Sequence, residues 1–256
     1  RLGGVQGVYF PQTPPVFTFG HIEYLLVVDS WPEFKTVLTP LCYLLQVIKN
    51  KLDFYANLHA AFYSDMDSCQ ALLENEDSID WGRAFQMQGE YRQLKNKHLG
   101  WIAFCLLTHP YLFLFFRFKS DLLHFGTLKP SHASSLNDVW DFGGNDRSLC
   151  YLESLIRNFP SACLLDKEGQ LAAWCLIDPY GCLTHGYTFP QYRGQGWIGL
   201  ILQNLGRQMH ALGFPLYAAV LAENEPSIRS LLNQGFHILP GTYYTLISTP
   251  VPNPKH

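Results

Sequence analysis

Residues 182–197 read CLTHGYTFPQYRGQGW, and the parsing of this stretch decides the fold. From Cys182 to Thr188 β-prone residues alternate as in a strand, glycines follow at 194 and 196, and a helical period then begins. The helix expected there buries Ile198, Ile201, Leu202, Leu205, Met209 and Leu212 and stops at Gly213, which suits a left-handed C′ position. A strand, a glycine loop and a helix N-terminus together suit a phosphate. Residues without Cβ let amides approach closely, and the helix end adds partial positive charge.

Two parsings compete. Gly194-x-Gly196-x-x-Gly199 matches the dinucleotide fingerprint, with Glu223 placed beyond the next strand as a ribose-binding acid. Against it, Pro190 to Arg193 separate strand from glycines, and Trp197 would crowd a pyrophosphate. Gln191-x-x-Gly194-x-Gly196 instead resembles the Q/R-x-x-G-x-G/A loop of the GNAT acyltransferases, whose amides hold the pyrophosphate of coenzyme A.

The flanking sequence separates the two. Upstream, Asn145 can cap a helix carrying Leu149, Leu152, Leu155, Ile156 and Phe159 on one face, ended by Pro160. Residues 162–165 and 171–177 flank the turn DKEG as a hairpin, and DPYG leads into the strand at 182. Downstream, residues 216–221 form a strand, Pro226 opens a helix that runs to Gly235, and residues 236–239 and 242–248 are expected to close the sheet as a hairpin. Antiparallel hairpins followed by one crossover make an α+β layout, whereas a doubly wound domain would open with its glycine-bearing strand.

The N-terminal half is less regular. Residues 1–19 are rich in Gly, Pro and aromatics, and residues 24–29 read as a short buried strand before SWPEF. Apolar spacings of three and four predict helices over 52–62 and 68–73, with Phe54, Leu58, Phe62, Leu72 and Leu73 inward. The segment DWGRAFQMQG, with Trp81, Phe85 and Met87, reads as core or a pocket lining. The apolar run 99–116 has the length of a membrane span but contains Thr108, His109 and Pro110, so a buried insert is the alternative. A loop-like KPSHASS follows, and the domain boundary is expected near residue 135, between an N-terminal domain 1–135 and a C-terminal domain 136–256.

A chain of 256 residues with net charge −3 can bury one large or two modest cores and carries no basic excess for nucleic acid. Its seven scattered cysteines, without a C-x-x-C pair, read as free thiols in a reducing compartment. His21, His59, His109 and His210 lack metal-ligand spacing, so no metal is expected. The first residue is Arg1, so a natural start and any targeting peptide are expected to be missing from view.

VVDSWPEF, FQMQG, GGNDRSLCYLESLIRNFPSACLLDKEG, HGYTFPQYR and GFPLYAAVLAENEPSIRSLLNQGF together resemble the glycine N-acyltransferase family of the GNAT superfamily. The resemblance is nearly continuous over the C-terminal half and broken over the N-terminal half. It implies a GNAT-like mixed sheet flanked by helices, with a related or divergent N-terminal α/β half. It also implies transfer of an acyl group from acyl-CoA to the amino group of glycine or a similar amino acid, giving N-acylglycine and CoA. No resident cofactor and no obligatory protein partner are implied. By position, the amides of Arg193, Gly194, Gln195 and Gly196, with Gln191 opening the loop, would hold the pyrophosphate. Leu183, His185 and Tyr187 would lie along the pantetheine arm, and Asn224, which can equally cap a helix, would contact coenzyme A.

Two positions depart from the family. Its general-base Glu, at the start of the central strand, aligns with Cys182, and Leu231 stands where many GNAT enzymes carry a thiolate-protonating Tyr. A thiol is a poor base at neutral pH, so a catalytically weak acyl-CoA-binding member is the alternative. His185 is the nearest titratable replacement, but alternation puts it on the face opposite Cys182 unless a bulge intervenes. The resemblance implies a mitochondrial location, with the endoplasmic reticulum or cytoplasm as alternatives.

Overall fold

The computed structural model describes residues 17–19, 22–24, 26–40, 50–75, 78–89, 100–106, 122–240 and 243–250. In chain order the strands and helices are β1 (Phe17–Phe19), β2 (Ile22–Tyr24), β3 (Val27–Val28), β4 (Thr36–Pro40), β5 (Leu58–Tyr63), α1 (Met66–Leu73), β6 (Phe85–Gly89) and β7 (Gly100–Leu106). They continue as β8 (His124–Gly126), α2 (Ala133–Val139), α3 (Asp146–Asn158), β9 (Ser161–Leu165), β10 (Leu171–Ile177) and β11 (Cys182–Thr188). The remainder are α4 (Trp197–Ala211), β12 (Leu216–Leu221), α5 (Glu225–Asn233), β13 (His237–Ile238) and β14 (Tyr243–Ser248).

The chain forms two compact units, residues 1–99 with 243–256, and residues 100–242. Their limits differ from the division expected near 135, because β7 lies before the Ser- and Pro-rich stretch and yet pairs antiparallel with β12.

In the first unit the strand order is β3-β4-β5-β6-β14, with β5 and β6 parallel across α1. Val27, Leu38, Ala61, Leu72, Ile79, Phe85 and Met87 form its core. The helix expected over 52–62 is instead a 3-10 turn at Phe54–Ala56 followed by β5, and Phe62 is 67% exposed. Phe54, Leu58 and Phe62 are four apart, an even spacing that fits one face of a strand as well as of a helix. The second expected helix is present as α1, capped by Asp65, whose carboxylate accepts from Ser68 N at 3.1 Å.

In the second unit the order is β13-β7-β12-β11-β10-β9-β8, antiparallel except for the parallel pair β11–β12 joined through α4. The sheet is mixed and not doubly wound, as the antiparallel hairpins before the glycine loop imply. Asn145 caps α3 in a reciprocal pair with Ser148, and Leu152, Leu155 and Ile156 are buried. Helix α4 buries Ile201, Leu202, Leu205 and Met209, while Leu212, past its last turn, is 53% exposed. Gly213 has the left-handed φ of +80° that ends the helix. The closing hairpin does not form: β13 pairs with β7 and β14 with β6. The apolar run at 99–116 hid β7 because it lacks strand alternation; its residues 107–116 lie outside the described set. Among the described residues no helix is long and apolar enough to cross a membrane. Helix α2, within the loop-like KPSHASS region, is held by the burial of Ala133 and Leu136 rather than by its Ser- and Asn-containing sequence.

Candidate functional site

Strand β11 loses a different partner on each edge. Against β10 it pairs Leu183 with Ile177 and Thr184 with Leu176, then resumes with Tyr187 against Trp174 and Thr188 against Ala173. Cys175 therefore faces two residues, His185 and Gly186, which is a β-bulge. His185 takes a φ of 52°, and it is the sole non-glycine with positive φ among the described residues. On the other edge, β11 pairs with β12 at Cys182↔Tyr217 and Leu183↔Ala218, and no further pair forms among the described residues. β12 itself continues to Leu221, held from its far side by β7. The two strands fork at Leu183, leaving a strand edge open to an extended ligand.

The loop at the end of β11 leads from this fork to a helix end. A 3-10 turn at Pro190–Tyr192 precedes Gly194 and Gly196, whose φ values are +76° and +79°. A Cβ at either glycine would meet nothing within 4 Å, so the backbone dihedral, not crowding, requires them. Gly196 is the N-cap of α4, no side chain caps it, and the first turn carries no acidic residue. The amides of 194–196 make no turn hydrogen bond among the described residues, and they lie next in sequence to the uncapped, partially positive end of α4.

The loop is anchored from below. Arg193 Nε donates to Thr188 O at 2.9 Å, and its guanidinium lies 5.4 Å from the Tyr187 ring. Tyr187 stacks on the buried Trp174 at 5.1 Å, and Phe189 packs edge-on against both. Tyr192 Oη donates to Asp166 Oδ2 at 3.1 Å, tying the loop to the β9–β10 turn. Gln191 is exposed within the 3-10 turn. The dinucleotide parsing fails here, since that turn separates the strand from the glycines.

The remaining candidates divide. Asn224 caps α5, accepting from Ser227 N at 3.2 Å, and Leu231 is buried within that helix with no group to protonate a thiolate. Cys182 is buried, and its N–H donates to Asp178 Oδ1 at 2.9 Å. Burial first, and then the neighbouring Asp178 carboxyl, push the Cys182 thiol well up, so it stays protonated and cannot serve as a base. His185 is only partly buried, and the bulge cancels the strand alternation used to place it. Its ring lies 4.5 Å edge-on to Trp140 and 6.0 Å from Tyr151. Burial pushes the imidazole down to about 4, so it is neutral at pH 7.

Trp140 and Tyr151 escaped the sequence reading. Trp140 follows the unforeseen α2, and Tyr151 lies off the apolar face of α3. The loop carrying Trp140 is pinned. Asn137 Oδ1 accepts from Ser148 Oγ at 2.6 Å and from Gly144 N at 3.1 Å, and a Cβ on Gly143 would stand 2.3 Å from Asn137 O. Among the described residues no group of His, Cys, Asp and Glu could hold a metal.

Comparison with known proteins agrees with this geometry. The chain is 32% identical over 220 residues to a glycine N-acyltransferase of Mus musculus, covering 75% of this chain and 74% of the relative. It is 29% identical over 245 residues to a glycine N-acyltransferase of Rattus norvegicus, covering 82% of each. A glycine N-phenylacetyltransferase of Bos taurus is 30% identical over 220 residues, with 75% and 74% covered. Among solved structures, a Drosophila protein superposes with a TM-score of 0.64 at 17% identity, over 90% of this chain and 80% of that one. A tandem GNAT protein from the clavulanic acid biosynthesis pathway superposes at 0.52 with 11% identity, over 94% and 86%, and both show the fold. The sequence profile of the aralkyl acyl-CoA:amino acid N-acyltransferases matches residues 19–101 and 111–160, and that of their C-terminal region matches residues 162–250. The chain belongs to the aralkyl acyl-CoA:amino acid N-acyltransferase family.

Proposed function

We propose that this protein transfers an acyl group from acyl-CoA to the amino group of glycine or a similar amino acid, releasing N-acylglycine and CoA. The observation that carries the reading is the fork of β11 and β12 after Leu183, which opens onto the uncapped amides of the glycine loop. In a member of this family, such a cleft suits a long, extended, phosphate-bearing thioester. The amides of Gly194, Gln195 and Gly196 hold the pyrophosphate, whereas the Arg193 amide, counted with them from the sequence, already donates to Pro190 O at 3.2 Å within the 3-10 turn; the edge of β11 left open past Leu183, as far as Tyr187, pairs with the pantetheine amides. Gln191 borders the loop, and the exposed end of α5 at Asn224 contacts the coenzyme across the fork.

Positioning carries a large part of the reaction. The acceptor nitrogen attacks the thioester carbonyl carbon; the N–C bond forms and the C–S bond breaks. Holding the two partners side by side supplies about 7–11 kcal/mol of the barrier. The acyl-CoA is a co-substrate, consumed at each turnover.

Thiol release from a panel of acyl-CoAs, with and without glycine, tests the reading. Glycine-dependent release is expected, and an acyl-CoA that binds without any amino-acid-dependent release overturns it in favour of a binding-only protein. A second expectation concerns Cys182: because its thiol stays protonated and buried, Cys182→Ala leaves kcat within about twofold while costing about 1–2 kcal/mol of stability for the lost packing. A collapse of kcat in a folded Cys182→Ala would return the base to that position. A mitochondrial location belongs to the same reading on the strength of the family resemblance, and co-fractionation of the full-length protein with a matrix rather than a microsomal marker tests it.

A further inference from the structure

With Cys182 buried and protonated, the site still needs a group to take the proton that the attacking nitrogen must shed. We infer that His185 is that base, acting from the bulge in β11. The inference rests on the acyl transfer proposed above. Three observations place the imidazole. The bulge begins two residues past the last β11–β12 pair, at the fork where an extended thioester would end. Its φ of 52° is a conformation that costs a non-glycine residue about 1–3 kcal/mol and is kept where the surroundings enforce it. The ring stands against Trp140 and Tyr151 with part of its surface open, and no hydrogen bond to either ring nitrogen is made among the described residues.

The surroundings of the ring suit the task. From α3 the titratable group facing it is the Tyr151 phenol, from the α2–α3 loop the neighbour is Trp140, and across the bulge on β10 stands Cys175, itself pushed up to about 12 by burial. No charge contributes to the downward shift of His185, whose cause is burial. The neutral ring therefore arrives with a free lone pair. An amino-acid acceptor brings a carboxylate into the same recess, and a negative charge close by favours the imidazolium and strengthens the base as the acceptor binds. When the amine attacks, the nitrogen becomes positively charged in the tetrahedral intermediate and passes one proton to the ring nitrogen. The C–S bond then breaks with its electron pair on sulfur, and the thiolate takes up a proton from the imidazolium or from solvent, so the balance closes to amide and free thiol.

The test uses the whole protein with an acyl-CoA and amino acid that the wild type turns over. His185→Gln is expected to lower kcat by about 10²-fold, the lower end of general-base contributions, with the acyl-CoA dissociation constant unchanged. The imidazole's own contribution to the acid limb of the wild-type pH–rate profile should disappear in the variant, leaving the rise set by deprotonation of the acceptor amine. Added imidazole should restore part of the rate to His185→Ala, which a purely structural role would not allow. A folded His185→Gln with wild-type kcat, or a loss of rate that tracks a loss of acyl-CoA affinity without imidazole rescue, overturns the assignment alone. A wild type that binds acyl-CoA and releases no thiol with any amino acid overturns the activity and the base together.

Discussion

Gly196→Val is expected to raise the dissociation constant for acyl-CoA by about 10³-fold in a protein that still folds. Gly196 holds a φ of +79° as the N-cap of α4, a conformation that valine adopts only with strain of about 1–3 kcal/mol. A Cβ there would meet no protein atom within 4 Å, so the substitution acts through the backbone strain and not through a clash within the protein. Relief of the strain requires the loop to turn its amides away. Two charge-assisted hydrogen bonds lost at about 1.5–3 kcal/mol each account for a thousandfold change, since 1.4 kcal/mol is tenfold. Gly213→Val is the control. Gly213 has the same backbone conformation, φ +80°, and equally open space, but it lies at the other end of α4. It should cost stability and leave affinity intact. Calorimetric titration of acyl-CoA into both variants decides the matter; wild-type affinity in Gly196→Val removes the glycine loop from the coenzyme site.

The second large effect is on stability and lies at the opposite end of β11. Asp178 is buried in the turn before the strand, where its Oδ1 accepts from Tyr180 N at 2.8 Å and Cys182 N at 2.9 Å. Burial outweighs these two bonds and pushes the carboxyl from 3.8 up to about 7. A raised carboxyl favours the protonated native state. Its contribution is fully present below the unfolded value, near pH 4, and is lost as the pH rises through 7. Three pKa steps correspond to about 4 kcal/mol. His59 and His185 act in the reverse sense: both are lowered by burial to about 4, so their contribution is present above pH 6.5 and is lost as the pH falls toward 4. The wild-type curve sums these opposing terms, and the difference curve against Asp178→Asn isolates one of them. Asparagine keeps the Oδ1 acceptor but cannot ionise. The variant should match the wild type near pH 4 and exceed it by up to about 4 kcal/mol above pH 7, read from denaturant unfolding across that range. Parallel curves would show that Asp178 ionises at its ordinary value.

The stretch 182–197 determined by itself the strand, the glycine loop and the helix, because each depends on interactions within a few residues: alternation, left-handed φ at Gly194 and Gly196, and an apolar stripe. The same locality made the DKEG and DPYG turns, the Asn145 cap and the Gly213 stop legible, since each is a short-range hydrogen-bond arrangement. What the tertiary structure decided was every feature that needs a distant partner. β5 is a strand because it lies between β4 and β6, although its spacing of four also suits a helix. β7 finds its place beside β12, about 110 residues away in sequence, which no local pattern announces. Alternation alone could not place His185, because a bulge exists only in the register between two strands, here where Cys175 faces both His185 and Gly186. The fork after Leu183 and the gathering of Trp140 and Tyr151 around the imidazole are likewise properties of packing. The sequence names the chemical groups, and the fold brings them within reach of one another.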